Sequence, residues 1–253
     1  MQTDTANDQT KQCSQIKNVP SDLNQLRSVI DQRTTVTFAQ PIIELTNLGS
    51  IGFEALARGP VDSPLHTADK LFGAANYHNC LADLEIACLC AHLENIQRYS
   101  DTTLFSVNLS PNMLFDPQIH QALSQFTTPH RIKLELTEHL PVEDWAPVKQ
   151  QMDRYRQMGY QFWLDDVGCG FFDLQLVDTV RPEVVKLCIT LMDRLESGEA
   201  FLTELRSVIA KVHSYGGEVL AEGIETERQL TKVRAMGVDL AQGYYFAKPS
   251  LLK

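Results

Sequence analysis

A (β/α)8 barrel is the fold that this 253-residue sequence predicts, on three observations. Short runs rich in β-branched and aliphatic residues alternate with longer runs whose apolar residues recur at helical spacing, the pattern of parallel βα units. About eight such strand runs fall within some 220 residues, near the usual size of that barrel. No low-complexity stretch or linker interrupts residues 35–253, so one domain is expected there. A doubly wound open sheet is the competing architecture.

Residues 1–20 are rich in Gln, Thr, Asn and Asp and read as a flexible segment. Pro20-Ser21-Asp22 is a helix start, and Leu23, Leu26, Val29 and Ile30 give the apolar stripe of an N-terminal helix over 21–34. Strands are then expected at Val36–Ile43, Ile51–Arg58, Thr103–Leu109, Arg131–Thr137, Gln161–Asp165, Val184–Leu187 and Glu218–Glu222, with a short one near Leu240. Between them, helical stripes run through Leu81–Ile96, through Trp145, Val148, Met152 and Tyr155, and through Phe201, Leu202, Leu205, Val208, Ile209 and Val212.

Apolar residues make up 43% and charged residues 21%, ordinary values for a globular enzyme. The net charge of −10 comes with no Lys/Arg-rich run, which argues against gripping a DNA or RNA duplex through its phosphates. An acidic chain still handles an anionic substrate where bound metal ions set the local field. No apolar run approaches the roughly 20 residues of a membrane helix, and the polar start MQTDTANDQTKQ carries no signal-peptide core. A cytoplasmic location is therefore expected. The six cysteines (13, 80, 88, 90, 169 and 188) form no C-x-x-C pair and are expected as reduced thiols. A zinc site from Cys88 and Cys90 with His78 or His92 competes poorly with packing on an amphipathic helix.

Strand parity selects the candidate site, because successive side chains point to opposite faces. In Ile132–Leu136 the aliphatics share one face, and Lys133 and Glu135 the other. Ser106 and Asn108 oppose Phe105, Val107 and Leu109; Glu54, Leu56 and Arg58 align, as do Glu218, Leu220 and Glu222. With the aliphatic faces under the helices, the polar set points into the barrel, and late in each strand it lines the mouth. Each acceptor alone reads as a solvated strand-end residue. The recurrence of Glu54, Asn108, Glu135, Asp165-Asp166 and Glu222 in strand after strand weakens that reading. So many carboxylates in one mouth repel one another unless cations are present, and all-oxygen donors suit Mg²⁺ or Mn²⁺ better than zinc.

At these residues the sequence resembles the EAL domain family of bacterial cyclic di-GMP signalling, across residues 35–253. The blocks in order are Gln40-Pro41-Ile42, Glu54-Ala55-Leu56 within Phe53–Arg58, Val107-Asn108-Leu109-Ser110-Pro111, Glu135-Leu136-Thr137-Glu138, Leu164–Gly170 with its Asp165-Asp166, Val185-Lys186-Leu187, Ala221–Thr226, and Gln242–Phe246 with Pro249. The tripeptide alone recurs by chance; eight ordered blocks do not. The resemblance implies a modified (β/α)8 barrel with one antiparallel strand and a two-metal phosphodiesterase that opens cyclic di-GMP to linear pGpG. It implies Mg²⁺ or Mn²⁺ as cofactor, Ca²⁺ as an inhibitor, a homodimer, and a regulatory or sensor partner. Carried over, Glu54, Asn108, Glu135 and Asp165 hold one metal; Asp165 bridges to a second held with Asp166 and Glu222. Lys186 sits over the attacking water, Glu138 anchors the loop after Asp166, and Gln242 braces the site. Gln40, Leu56, Arg58, Glu225 and Gln242 are the expected substrate contacts, with Arg58 on a substrate phosphate.

The chain departs from the family at Val167, Cys169, Phe171-Phe172-Asp173 and Cys188, the last standing where a carboxylate is usual. Cys188 is expected as a packed thiol, and the loop changes point to reduced rather than absent turnover. Gly168 and Gly170 let that loop turn sharply. One rival reading is a catalytically weak or silent EAL-type receptor or protein-interaction regulator, separated by an assay for pGpG. The other is an unrelated metal-dependent barrel enzyme, which would ignore cyclic di-GMP.

Overall fold

All eight expected strand runs form strands, and they close into one barrel. A computed structural model of the chain describes residues 20–137, 142–167, 174–193 and 198–252. The strands are β1 (Val36–Glu44), β2 (Ser50–Arg58), β3 (Leu104–Leu109), β4 (Ile132–Leu136), β5 (Gln161–Val167), β6 (Val184–Leu187), β7 (Glu218–Ala221) and β8 (Leu240–Ala241). From β2 to β8 they run parallel in chain order, and β1 pairs antiparallel with both β2 and β8, which shuts the ring. The modified barrel with one antiparallel strand is therefore present and the open-sheet alternative is not. A short β9 (Ser250–Leu251) lies against Phe38 and Ala39 of β1.

The helices among the described residues are α1 (Pro20–Asp31), α2 (Ala68–Tyr77), α3 (Leu81–Ile96), α4 (Pro117–Gln125), α5 (Trp145–Gln157), α6 (Leu174–Val180), α7 (Ile189–Asp193), α8 (Glu199–His213) and α9 (Glu227–Ala235). Local chemistry starts several of them. Asp116 accepts from the Gln118 and Ile119 amides ahead of Pro117 in α4, and Asp144 accepts from Ala146 in α5. Thr226 and Gln229 form a reciprocal capping box at α9, where the Gln229 carbonyl also accepts from the Glu225 amide. Leu26, Val29 and Ile30 of α1 are buried with Ala57, Leu71, Leu84 and Cys88 from β2, α2 and α3.

The two sides of the barrel wall carry different cores. The outward apolar residues predicted by parity, including Phe105, Val107, Leu109, Ile132, Leu134 and Leu136, pack under the helices, as do Phe162, Leu164 and Val185 of β5 and β6. Inside, Ile42, Trp163, Val184, Leu220 and Leu240 form a separate apolar cluster. Each member of that layer stands two residues from a candidate site residue: Gln40, Asp165, Lys186, Glu222 and Gln242 respectively. Period-two alternation therefore sets the polar ring directly on a dry floor.

Cys80, Cys88 and Cys90 are free, but Cys188 is disulfide-bonded, which corrects the expectation of a packed thiol there. Cys188 follows β6 directly and is buried. The zinc alternative finds no support among the described residues: His92 is committed to Thr37 Oγ1 at 2.8 Å, and the clustered acceptors are all carboxylates. Among the described residues no helix is long and apolar enough to cross a membrane.

Candidate active site

The strand ends deliver the site one residue at a time. Glu54 lies mid-β2, Asn108 is the penultimate residue of β3 and Glu135 of β4, and Lys186 is penultimate in β6. Glu222 follows β7 directly and Gln242 follows β8. Register puts Asn108 beside Glu135 and Gln40 beside Glu54.

β5 breaks the rule of alternation, and the break has a purpose. Adjacent residues of a regular strand face opposite ways, so only Asp165 would enter the barrel. A register shift between Leu164 and Val167 marks a bulge, and Asp166 takes φ 51° in the left-handed region. Asp tolerates that region better than most side chains. The result is that Asp165, Asp166 and Glu222 each offer an oxygen within 4.8 Å of one another. Glu54, Glu135 and Glu222 form a second such group, so Glu222 is common to both, where the resemblance expects Asp165 to bridge.

At the centre lies the Lys186 ammonium, with a side chain 2% exposed. Its Nζ is 2.8 Å from Glu222 Oε1, 3.1 Å from Asp165 Oδ1 and 3.8 Å from Glu54 Oε1, and it donates to Glu135 Oε1 in a short hydrogen bond. Glu54 is held from two sides, by Asn108 Nδ2 at 3.0 Å and by Gln242 Nε2 at 2.7 Å. Gln242 also donates to Gln40 Oε1 at 3.0 Å, and Gln40 Nε2 donates to the Ala247 carbonyl.

Burial on the dry floor dominates the electrostatics. It pushes the Glu135 carboxyl well above the usual range; Lys186 opposes this, and Glu54, Asp165 and Glu222 reinforce it. Glu222 is likewise pushed up to about 8, by burial first, against the pull of Lys186. For Lys186 burial acts downward, but the combined field of Asp165, Glu135, Glu222 and Glu54 carries its ammonium well above the ordinary value. Among the described residues Glu135 Oε2 is buried without a hydrogen-bond partner. An orphaned carboxylate oxygen beside other converging carboxylates fits a hard divalent cation.

Two recesses flank this centre, and Glu54 lines both. One, of about 250 Å³, is walled by Leu56, Arg58, Asn108, Asp165, Phe72 and Glu85. Arg58 stacks over Phe38, and its Nη1 donates to the Ala57 carbonyl. The other, of about 470 Å³, is walled by Gln40, Glu222, Glu225, Gln242, Ile189 and Tyr244. Gly223 at φ +66° turns the chain after Glu222, and a Cβ there would lie 2.1 Å from Ile189 Cγ1. Every expected site residue thus falls at this mouth except Glu138, which lies outside the described residues, as do Gly168 to Asp173.

Sequence reasoning passed over three contributors. Glu85 on α3 is buried and accepts from the Ser110 amide at 2.8 Å and the Ser110 hydroxyl at 2.6 Å, fixing the chain just past Asn108. Its signal was an acid inside the apolar run Leu84-Glu85-Ile86-Ala87. Ile189 and Tyr244 are both more than half exposed; Tyr244 lies in the Gln242–Phe246 block of the resemblance but was given no role, and Ile189 gave no signal beyond its apolar character.

Comparison with known proteins gives the same picture at the level of family. The sequence model described as EAL domain matches residues 23–249. Probable cyclic di-GMP phosphodiesterase PdeB of Escherichia coli K12 is 27% identical over 244 residues, covering 92% of this chain. The chain spans less than half the length of such curated relatives, 46% of PdeB and 32% of Probable cyclic di-GMP phosphodiesterase PdeA. Among solved structures, an EAL domain protein from Listeria monocytogenes superposes with TM-score 0.81 at 20% identity, over 91% of this chain and 94% of that one. A standalone versatile EAL protein from Vibrio cholerae O395, in its c-di-GMP bound form, gives TM-score 0.76 at 25% identity, over 87% and 93%.

Proposed function

The chain belongs to the EAL domain family, and on that premise we propose that it is a metal-dependent phosphodiesterase that opens one phosphodiester of cyclic di-GMP to linear pGpG, lowering a bacterial second messenger. The observation that carries the proposal is the convergence of Glu54, Glu135, Asp165 and Glu222 around Lys186 at the barrel mouth, with Asp166 beside Asp165 and Glu222. Relatives named as cyclic di-GMP phosphodiesterases support the substrate. The two recesses either side of Glu54 suit a ligand that carries two bases.

In this reading Glu54, Asn108, Glu135 and Asp165 hold one divalent ion, and Asp165, Asp166 and Glu222 the other. Such a pair, when bound, lowers the pKa of water and offsets charge developing on the phosphoryl oxygens. The chain's own residues do the rest. Gln242 and Asn108 fix the rotamer of Glu54. Lys186 orients the nucleophile and supplies positive charge where negative charge builds. Arg58 meets a substrate phosphate, while Leu56, Gln40 and Glu225 contact the bases. Glu138 steadies the segment after Asp166. Mg²⁺ or Mn²⁺ as working ion, Ca²⁺ as inhibitor, a homodimer, a regulatory partner and a cytoplasmic location belong to the same reading. So does the division into a flexible segment (1–20), a helix (21–34) and the barrel (35–253).

The test is incubation with cyclic di-GMP and Mn²⁺ or Mg²⁺, followed by chromatography for pGpG. We expect turnover, abolished in Glu222→Ala and Asp165→Asn with circular dichroism unchanged. Tight nucleotide binding without product in either metal would sink the enzymatic reading, and full activity in either variant would sink the ligand assignment.

A further inference from the structure

We infer that Lys186 is a tethered counter-ion, whose ammonium holds the carboxylate ring together and competes with divalent cations for the same carboxylates. Its Nζ stands where the carboxylates of Glu54, Glu135, Asp165 and Glu222 converge, within 3.8 Å of an oxygen of each. Three of those carboxylates, Glu54, Glu135 and Glu222, form one of the two groups able to hold a cation. The same three therefore serve either a covalently attached positive charge or an exchangeable one.

Geometry explains why the tether is needed. The ring sits on the apolar layer of Trp163, Val184 and Leu220, and Glu135 is 0% exposed. Four converging carboxylates there repel strongly, and water is too scarce to screen them. Val184, two residues below Lys186 in β6, is part of that layer, so the lysine stem rises from the floor and its charge has no solvent to reach. The site is consequently assembled before any ion arrives, and an arriving ion meets a competitor. This role is additional to orienting the nucleophile. The competition half rests on the metal reading above; the structural half does not.

The experiment uses the full chain, the variant Lys186→Met and the double variant Glu135→Gln/Lys186→Met, each stripped with EDTA and melted at pH 8. Lys186→Met is expected to melt about 10 °C lower than wild type, as for a buried pair broken on one side. The double variant removes one charge of each sign and is expected to recover most of that loss. Titration with Mn²⁺, read as free-ion signal by electron paramagnetic resonance, is expected to show binding about tenfold or more tighter in Lys186→Met than in wild type. Equal melting in EDTA together with equal Mn²⁺ affinity would overturn the inference. So would a double variant that melts no higher than Lys186→Met, including the case where Lys186→Met does not fold. Failure of wild type to take up Mn²⁺ would instead remove the metal reading, while the EDTA melts still judge the counter-ion.

Discussion

Acidification from pH 8 to pH 5 should cost the fold about 2 kcal/mol through His92 alone. The ring is buried on α3, its Nδ1 shares a hydrogen bond with Thr37 Oγ1, and Thr37 Oγ1 also receives Asn95 Nδ2 at 3.1 Å. Burial lowers its pKa from 6.5 to about 4, so the folded chain holds it neutral where the unfolded chain protonates it. A lowered base contributes stability that is fully present above the unfolded value and is lost as pH falls from 6.5 towards 4. At pH 5 the unfolded ring is almost wholly charged and the folded ring mostly neutral, which gives about 2 kcal/mol at 1.36 kcal/mol per unit. The assay is urea unfolding of wild type and His92→Gln at pH 8, 7, 6 and 5. Subtracting the two curves cancels the surface carboxylates. The stability difference, wild type minus variant, should fall by about 2 kcal/mol across that range. Parallel curves would refute the neutral, buried ring. The effect bears on function because His92 shares α3 with Glu85, the clamp on Ser110 beside Asn108.

Other outcomes follow from the same geometry. Asp166→Gly should leave the melting temperature unchanged or raised, since glycine adopts φ 51° freely and one crowded carboxylate disappears, while turnover falls about a hundredfold or more; a clear drop in melting temperature would contradict the bulge account. Glu85→Ala should cost about 2–3 kcal/mol in urea unfolding by stranding the Ser110 amide and hydroxyl, with Glu85→Gln intermediate. Glu222, raised to about 8, favours the protonated folded state, so its stabilising share is present at low pH and lost as pH climbs towards 8. Mn²⁺ must take the ionised carboxylate, so binding should strengthen from pH 6 to pH 8 and release protons, read by calorimetry in buffers of different ionisation heat. Binding that is flat with pH would place that proton elsewhere.

Much of this site was readable from the sequence because barrel strands repeat with period two. Glu54, Asn108, Glu135 and Glu222 could be placed on one face of their strands by alternation alone, whereas Lys186 and Gln242 entered only through the family resemblance. Asp166 is where the rule failed. Parity turns it outward, and only a bulge, which no local propensity announces, turns it in. That one strand runs antiparallel was implied by the family resemblance, without saying which, and not by periodicity, since alternation is blind to strand direction; pairing identifies it as β1. β9 is two residues long and carries no pattern of its own; it is defined by pairing with β1. Glu85 was hidden because a buried acid and a solvated one look alike until the backbone amide it serves is known. Cys188 shows the same limit, since its covalent pairing leaves no trace in local pattern.

The closure of the ring has a consequence in time. Gln40 comes from β1, early in the chain, and Gln242 follows β8, some 200 residues later, yet they meet at 3.0 Å over Glu54. A ribosome-bound chain that has synthesised every acidic ligand still lacks one of the two partners that hold the first of them, because Gln242 emerges about 20 residues after Glu222. Shutting the seam and finishing the mouth are then one event, and a chain cut before β8 would carry all its carboxylates on an open wall.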